Sequence, residues 1–216
     1  MNGIIFDFDG TILDTEQTEL AAWQFVYNEY NCILPLEHWH KRIGTDDENF
    51  DPILYLEKLI GTQIDAHALT LRRRAKLKTL IADLQPLAGV VDWLIAAKNL
   101  GMKIAIASSS PRYWVESHLE RTALLKYFDE IVTREDVKTV KPNPEIYLLT
   151  LKRLGISPEK TIAIEDSPSG AAAAIAAKIR CLVIPNGVTA KLDFPSEARK
   201  IQSLSEFTLH EILHFF

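Results

Sequence analysis

Asp7 and Asp9 close the apolar run Gly3-Ile-Ile-Phe-Asp-Phe-Asp9, and they are the first residues whose types and spacing could do chemistry. In an extended strand, residues two apart start on the same face with β-carbons roughly 7 Å apart, which makes an acidic, metal-ready pair. An isolated Asp-x-Asp can also simply end a strand in water, because acidic residues are common in turns. Here the carboxylates of Asp7-Phe-Asp-Gly-Thr-Ile-Leu-Asp14 follow an apolar strand directly, beside a core where charge needs positive compensation. Mg2+ would supply it, since that ion takes oxygen ligands, often one or two carboxylates together with water and substrate phosphate.

Other residues extend the same chemistry. Glu165-Asp166, ending a second strand-like run, can complete the acidic cluster; equally, Glu-Asp-Ser before a helix reads as N-terminal charge with Ser167 as the cap. Ser108-Ser109-Ser110 follows Ile104-Ala-Ile-Ala107 and offers hydroxyls and backbone donors to an anion at a helix start, while Ser110 by itself reads as a cap. Lys141, ahead of Pro-Asn-Pro144, could hold an ammonium against phosphate; a lone lysine is otherwise a surface residue. Gly10 permits a tight turn beside Asp7 and Thr11 adds a backbone group and a hydroxyl, although a strand-ending turn would explain both.

The elements that must position these residues follow from periodicity. From Glu16 to Leu84 the pattern is helical, with Leu20, Trp23 and Tyr27 recurring at three- and four-residue steps. After Pro86 helices and strands alternate: a helix near Val90–Leu100, strands at Lys103–Ala107, Glu130–Thr133, Thr161–Glu165 and Cys181–Ile184, and helices from Pro111, Pro144 and Pro168. Such alternation predicts an α/β fold, a Rossmann-like, mostly parallel sheet with helices on both faces, and makes the early helical block an insertion after the first strand. The expected division is a core of residues 1–15 and 85–216 and a cap of 16–84. Ser110-Pro111, Asn143-Pro144 and Ser167-Pro168 each place a capping residue before a proline suited to the first helical turn. Two of these starts follow strands, so backbone donors should gather at the carboxyl edge of the sheet, where open α/β folds bind ligands.

Composition narrows the field. A chain of 216 residues with 47% apolar and 25% charged residues buries a sizeable core. Its formal net charge of −5 argues against a nucleic-acid partner. Cys32 and Cys181 have no metal-like spacing, and no apolar run approaches the roughly 20 residues that span a bilayer. A cytoplasmic protein with no membrane partner is expected, as a monomer, with a dimer left open.

Taken together and in order, Asp7-Phe-Asp-Gly-Thr11, Ser108, Lys141-Pro-Asn-Pro144 and Glu165-Asp166-Ser167 resemble the four motifs of the haloacid dehalogenase superfamily. The resemblance is greatest to the β-phosphoglucomutase-like branch, whose helical cap is inserted after the first motif. It implies a Mg2+-dependent phosphohydrolase acting on a small phosphate monoester such as a sugar phosphate. It further implies that Asp7 is the nucleophile that becomes a phosphoaspartate and Asp9 the acid and base. Metal would be held by Asp7, the Asp9 carbonyl and Asp166, with Glu165 in support. Ser108 and Lys141 would hold the transferring group, aided by Gly10, Thr11 and Ser109.

Relatives in that branch place an arginine shortly after a cap-loop glycine, whereas here Gly44 is followed by Thr45-Asp46-Asp47, with Lys41 and Arg42 before it. They also often have a second proline where this chain has Leu87-Ala88-Gly89. Arg72-Arg73-Arg74 reads as a solvated helix surface, and Trp23, Phe25 and Tyr27 as helix packing. A phosphomutase would share the phosphoaspartate. Asp9 argues against carbon–halogen cleavage, and a receiver-like switch or a silent phosphate-binding protein stands further off.

Overall fold

The computed structural model describes residues 1–40 and 50–215. Lys41, Arg42, Gly44, Thr45, Asp46 and Asp47 lie outside the described residues. The chain opens with strand β1 (Gly3–Phe6), which is wholly buried. Helices α1 (Thr15–Asn28), α2 (Leu36–Trp39), α3 (Pro52–Ile60) and α4 (Ala66–Ala82) follow it. The alternating part then runs α5 (Val90–Asn99), β2 (Lys103–Ala107), α6 (Arg112–Arg121), β3 (Glu130–Val132), α7 (Glu145–Leu154), β4 (Thr161–Glu165), α8 (Pro168–Ala176) and β5 (Arg180–Val183). A two-residue strand, β6 (Arg199–Lys200), and helix α9 (Leu209–Phe215) end it.

The sheet order is β3-β2-β1-β4-β5-β6, and every neighbouring pair is parallel. This doubly wound order reverses direction between β1 and β4, the place where such sheets open a crevice beyond their strand ends. Asp7 and Asp166 are the residues that follow those two strands.

Strand alternation divides the core. Ile4 and Phe6 pack with Ile104, Ile106, Ile162 and Ile164 under α5, α6 and α9 on one face. Ile5 packs with Ala105, Ala107 and Ala163 under α7 and α8 on the other. Both faces are therefore apolar, as a parallel sheet covered on two sides requires. The helical block has a core of its own, in which Trp23 and Tyr27 pack with Trp39, Leu56 and Leu69. Phe25, read from the sequence as packing, is instead 39% exposed, with the Lys76 ammonium of α4 5.1 Å over its ring. Among the described residues, no helix is long and apolar enough to cross a membrane.

Candidate active site

β1 stops at Phe6, two residues before the last apolar residue of its run, Phe8. Asp7 still extends the ladder through its N–H, which donates to the Ile164 carbonyl at 2.9 Å, but the chain then turns back on itself. The Ile12 N–H donates to the Phe8 carbonyl, the Gly10 N–H to the Leu13 carbonyl, and Asp9 bridges Leu13. Gly10 makes this turn with φ +79°, and a β-carbon there would lie 2.1 Å from Asp166 Oδ2. The turn needs glycine for its backbone and for the approach of that carboxylate. It also breaks the same-face relation expected of Asp7 and Asp9, because that relation holds only in an extended strand.

The two aspartates consequently do different things. Asp7 joins Glu165 and Asp166 in a buried cluster in which one carboxylate oxygen from each residue lies within 4.8 Å of the other two. The side chain of Asp9 stands outside it. There Thr15 Oγ1 donates to Asp9 Oδ1 at 2.7 Å, Trp114 Nε1 donates to the same oxygen at 2.8 Å, and Ser110 Oγ donates to Oδ2 at 2.5 Å.

Lys141 is no surface lysine. It is 3% exposed, and its ammonium donates to Asp7 Oδ1 at 2.5 Å and to Glu165 Oε1 at 2.7 Å. Tyr147, one helical turn into α7, donates its hydroxyl to the same Glu165 oxygen at 2.6 Å, and Ser167 Oγ donates to Oε2 at 3.3 Å. Both Glu165 oxygens are thus engaged by protein donors, so this residue anchors Lys141. Asp166 instead accepts from Asn186 Nδ2 at 2.7 Å.

Electrostatics follow from this geometry. Three buried carboxylates face one ammonium. Burial, opposed by Lys141 and aided by Glu165 and Asp9, pushes the Asp7 carboxyl up to about 7. Burial also drives Asp166 well above the usual carboxylate range, with Asp7 and Glu165 adding to the effect. Burial alone would pull Lys141 down, but Asp7 and Glu165 outweigh it and hold the ammonium charged. A cluster with surplus negative charge and only oxygen donors fits a hard divalent cation such as Mg2+. Asp7 and Asp166 are the carboxylates open to it.

Ser108, Ser109 and Ser110 lead from β2 to the start of α6. Ser108 is buried, and its Oγ accepts from the Ser110 N–H at 3.0 Å. Ser109 Oγ and Thr11 Oγ1 are buried hydroxyls with no hydrogen-bond partner among the described residues. Ser110 does not cap α6, as its place before Pro111 had predicted. Its hydroxyl is spent on Asp9, Pro111 takes the cap position, and Glu135 accepts from the Arg112 N–H at 3.1 and 3.2 Å instead. Ser167 does cap α8, accepting from the Gly170 N–H at 3.1 Å. Asn143 Oδ1 accepts from the Glu145 N–H at 2.9 Å at the head of α7.

Above Asp9 opens a cleft of about 580 Å³ between the sheet edge and the helical block. Asp9, Ser110 and Trp114 line one side; Glu16 and Glu19 of α1 with Arg73, Arg74 and Leu77 of α4 line the other. The arginine run is therefore more than a solvated surface. Arg72 pairs with Glu29 outside, but Arg73 pairs with Glu19 at 2.5 Å and stands 5.1 Å over Trp23, while Arg74 faces the cleft. Burial, then the nearby Asp9 and Asp7, pushes the Glu16 carboxyl up to about 8.

Sequence reasoning missed Trp114, Thr15, Tyr147 and Asn186. Tyr147 and Trp114 carry no local signal beyond helical spacing, and Asn186 reads as a turn residue. Only Thr15, directly after Asp14, had a cue in its closeness to the first motif.

Comparison with known proteins agrees with this geometry. Residues 4–184 match the haloacid dehalogenase-like hydrolase family. A Bacillus subtilis (strain 168) protein named "Putative phosphatase YhcW" is 42% identical over 213 residues, covering 99% of this chain and 96% of that one. The "Phosphorylated carbohydrates phosphatase" of Thermotoga maritima is 36% identical over 180 residues, covering 83% of this chain and 82% of that one. A Thermotoga maritima crystal structure described as a "putative beta-phosphoglucomutase" superimposes with a TM-score of 0.79 at 28% identity, over 100% of both chains.

Proposed function

The chain belongs to the haloacid dehalogenase-like hydrolases, and from that premise we propose that it hydrolyses a small phosphate monoester, a phosphorylated sugar or related metabolite, through a phosphoaspartate on Asp7. The observation that carries this reading is the buried contact of Lys141 with Asp7 and Glu165 at the crevice between β1 and β4. Support for a sugar substrate comes from the name of the Thermotoga maritima phosphatase. We take residues 16–84 as a cap over a core of 1–15 and 85–216.

The residues divide the work as phosphoryl transfer demands, by alignment and by neutralising spread charge. Lys141, fixed by Glu165 and Tyr147, holds one oxygen of Asp7 and orients the carboxylate for attack on phosphorus. Ser108, Ser109 and Thr11, with the turn at Gly10, cradle the transferring group. Asp9 gives a proton to the leaving oxygen as the Asp7–phosphorus bond forms, then takes one from the water that hydrolyses that bond. Mg2+ would be held by Asp7, Asp166 and the Asp9 carbonyl, and when bound it supplies charge neutralisation and orientation at the phosphate oxygens. The cap shuts the cleft against bulk water while Glu16, Arg73 and Arg74 meet the alcohol portion of the substrate.

The test is phosphate release by wild-type and Asp7→Asn protein from a panel of sugar phosphates and an aryl phosphate, with Mg2+ and with chelator. Metal-dependent release that Asp7→Asn lowers by about a thousandfold or more supports the reading. Release unaffected by the substitution refutes it. Isomerisation of a sugar phosphate without net phosphate release would assign the chain to the mutases instead.

A further inference from the structure

Asp9 accepts from three donors of different kinds, and the difference matters. Thr15 and Ser110 present hydroxyls, which can donate or accept, whereas the indole N–H of Trp114 can only donate. The oxygen facing Trp114, Oδ1, therefore always meets a donor and is a poor seat for a proton. Among the described residues Oδ2 meets only the Ser110 hydroxyl, which can turn to accept. With Trp114 in place, protonated Asp9 carries its hydrogen on Oδ2.

Trp114 is also in contact with the helical block. Its ring packs against the cluster formed by Ala22 of α1 with Leu77 and Ile81 of α4. It meets His118 edge-on at 4.5 Å, and His118 stacks on Phe8, the residue between the two aspartates. Further along α6, the Arg121 guanidinium donates to the carbonyls of Ala82 and Leu84 at 3.3 and 2.8 Å, tying down the end of α4 and the residues after it. One short helix thus touches both the cap and the acid–base carboxylate.

We propose that Trp114 is a positioning residue for proton transfer: its indole N–H holds Asp9 Oδ1 and so fixes the carboxylate with Oδ2 as the proton-bearing oxygen. The inference rests on the proposed hydrolase reading. In the first step the Asp9 Oδ2–H proton passes to the ester oxygen as its bond to phosphorus breaks and the Asp7–phosphorus bond forms. In the second, Oδ2 takes a proton from water as the water oxygen bonds phosphorus and the Asp7 carboxylate leaves.

Leaving groups separate this role from a structural one, because an alkoxide needs the proton and a nitrophenolate does not. Trp114→Phe keeps an aromatic ring on α4 and deletes the donor. Its kcat/KM for a hexose phosphate should fall by about 10- to 100-fold, part of the roughly 100- to 10,000-fold that general acid catalysis supplies, while that for 4-nitrophenyl phosphate falls by less than about threefold. Ile81→Ala, which disturbs the ring's seat without touching Asp9, should show the same bias with a smaller loss, and it serves where Trp114→Phe folds poorly. Equal losses on both esters in both variants would make Trp114 a packing residue and overturn the proposal, as would unchanged kinetics. A wild-type protein inactive on every ester would overturn the hydrolase reading, and the role of Trp114 with it.

Discussion

Replacing Lys141 with Met removes the ammonium that pairs with Asp7 and Glu165 in a nest of three buried carboxylates, and keeps a chain of similar length. At an effective dielectric of about 20, a unit charge pair at the separations of 2.5 and 2.7 Å found here attracts by roughly 6 kcal/mol. Burying the ammonium costs several kcal/mol of that, so removing it should destabilise the metal-free protein by about 3–5 kcal/mol. For a chain of 216 residues each kcal/mol moves Tm by about 2–4 °C, which predicts a drop of roughly 6–20 °C. The drop should depend on pH. Asp7 titrates near 7 in the folded state against 3.8 unfolded, so it favours folding in full below 3.8 and loses that contribution as pH rises through about 7. Without Lys141 its carboxyl moves higher still, so the penalty should be largest at pH 8.5 and shrink towards pH 5, where protonated carboxyls need no partner. Thermal unfolding by circular dichroism in chelator, at both pH values, measures it. A variant melting within about 2 °C of wild type at pH 8.5 would refute the claim that Lys141 neutralises this cluster.

Two further outcomes follow from the same cluster. Mg2+ held by Asp7 and Asp166 would displace protons from both, so its apparent affinity in calorimetric titrations should rise by at least about tenfold per pH unit up to about 7; an affinity independent of pH between 5.5 and 7 would contradict the burial of these carboxyls. Gly10→Ala forces a β-carbon to within 2.1 Å of Asp166 Oδ2 and 2.6 Å of Asn186 Nδ2 at a φ of +79°, so it should cost on the order of 1–3 kcal/mol in backbone strain alone and weaken metal binding at least tenfold. Differential scanning fluorimetry and metal titration would check both effects, and normal metal affinity would show that the turn is not tuned to Asp166.

Much of the architecture was legible because it is set by local chemistry. The apolar runs at Ile104–Ala107 and Ile162–Ile164 alternate with helical segments, and a parallel, doubly covered sheet is what such segments can build. Ser167 before Pro168 announced a helix start that is present, because capping needs only residues within one turn. The same logic failed at Ser110, where a carboxylate 101 positions away took the hydroxyl that a local cap would have used. It failed again at β1, whose apolar run continues to Phe8 while the backbone has already turned at the approach of Asp166.

The sequence by itself determined which chemistry the chain can do: its carboxylates, serines and lysine stand in an order that already reads as phosphoryl transfer. Only the tertiary structure decided how they share the work. It separated Asp7 from Asp9, turned Glu165 into the anchor of Lys141, and brought Trp114, Tyr147, Asn186, Arg73 and Arg74 to the site. The reason is distance along the chain. Lys141 meets Asp7 across 134 positions and Trp114 meets Asp9 across 105, and no periodicity or local propensity records a contact made only when β1, β4 and α6 come together.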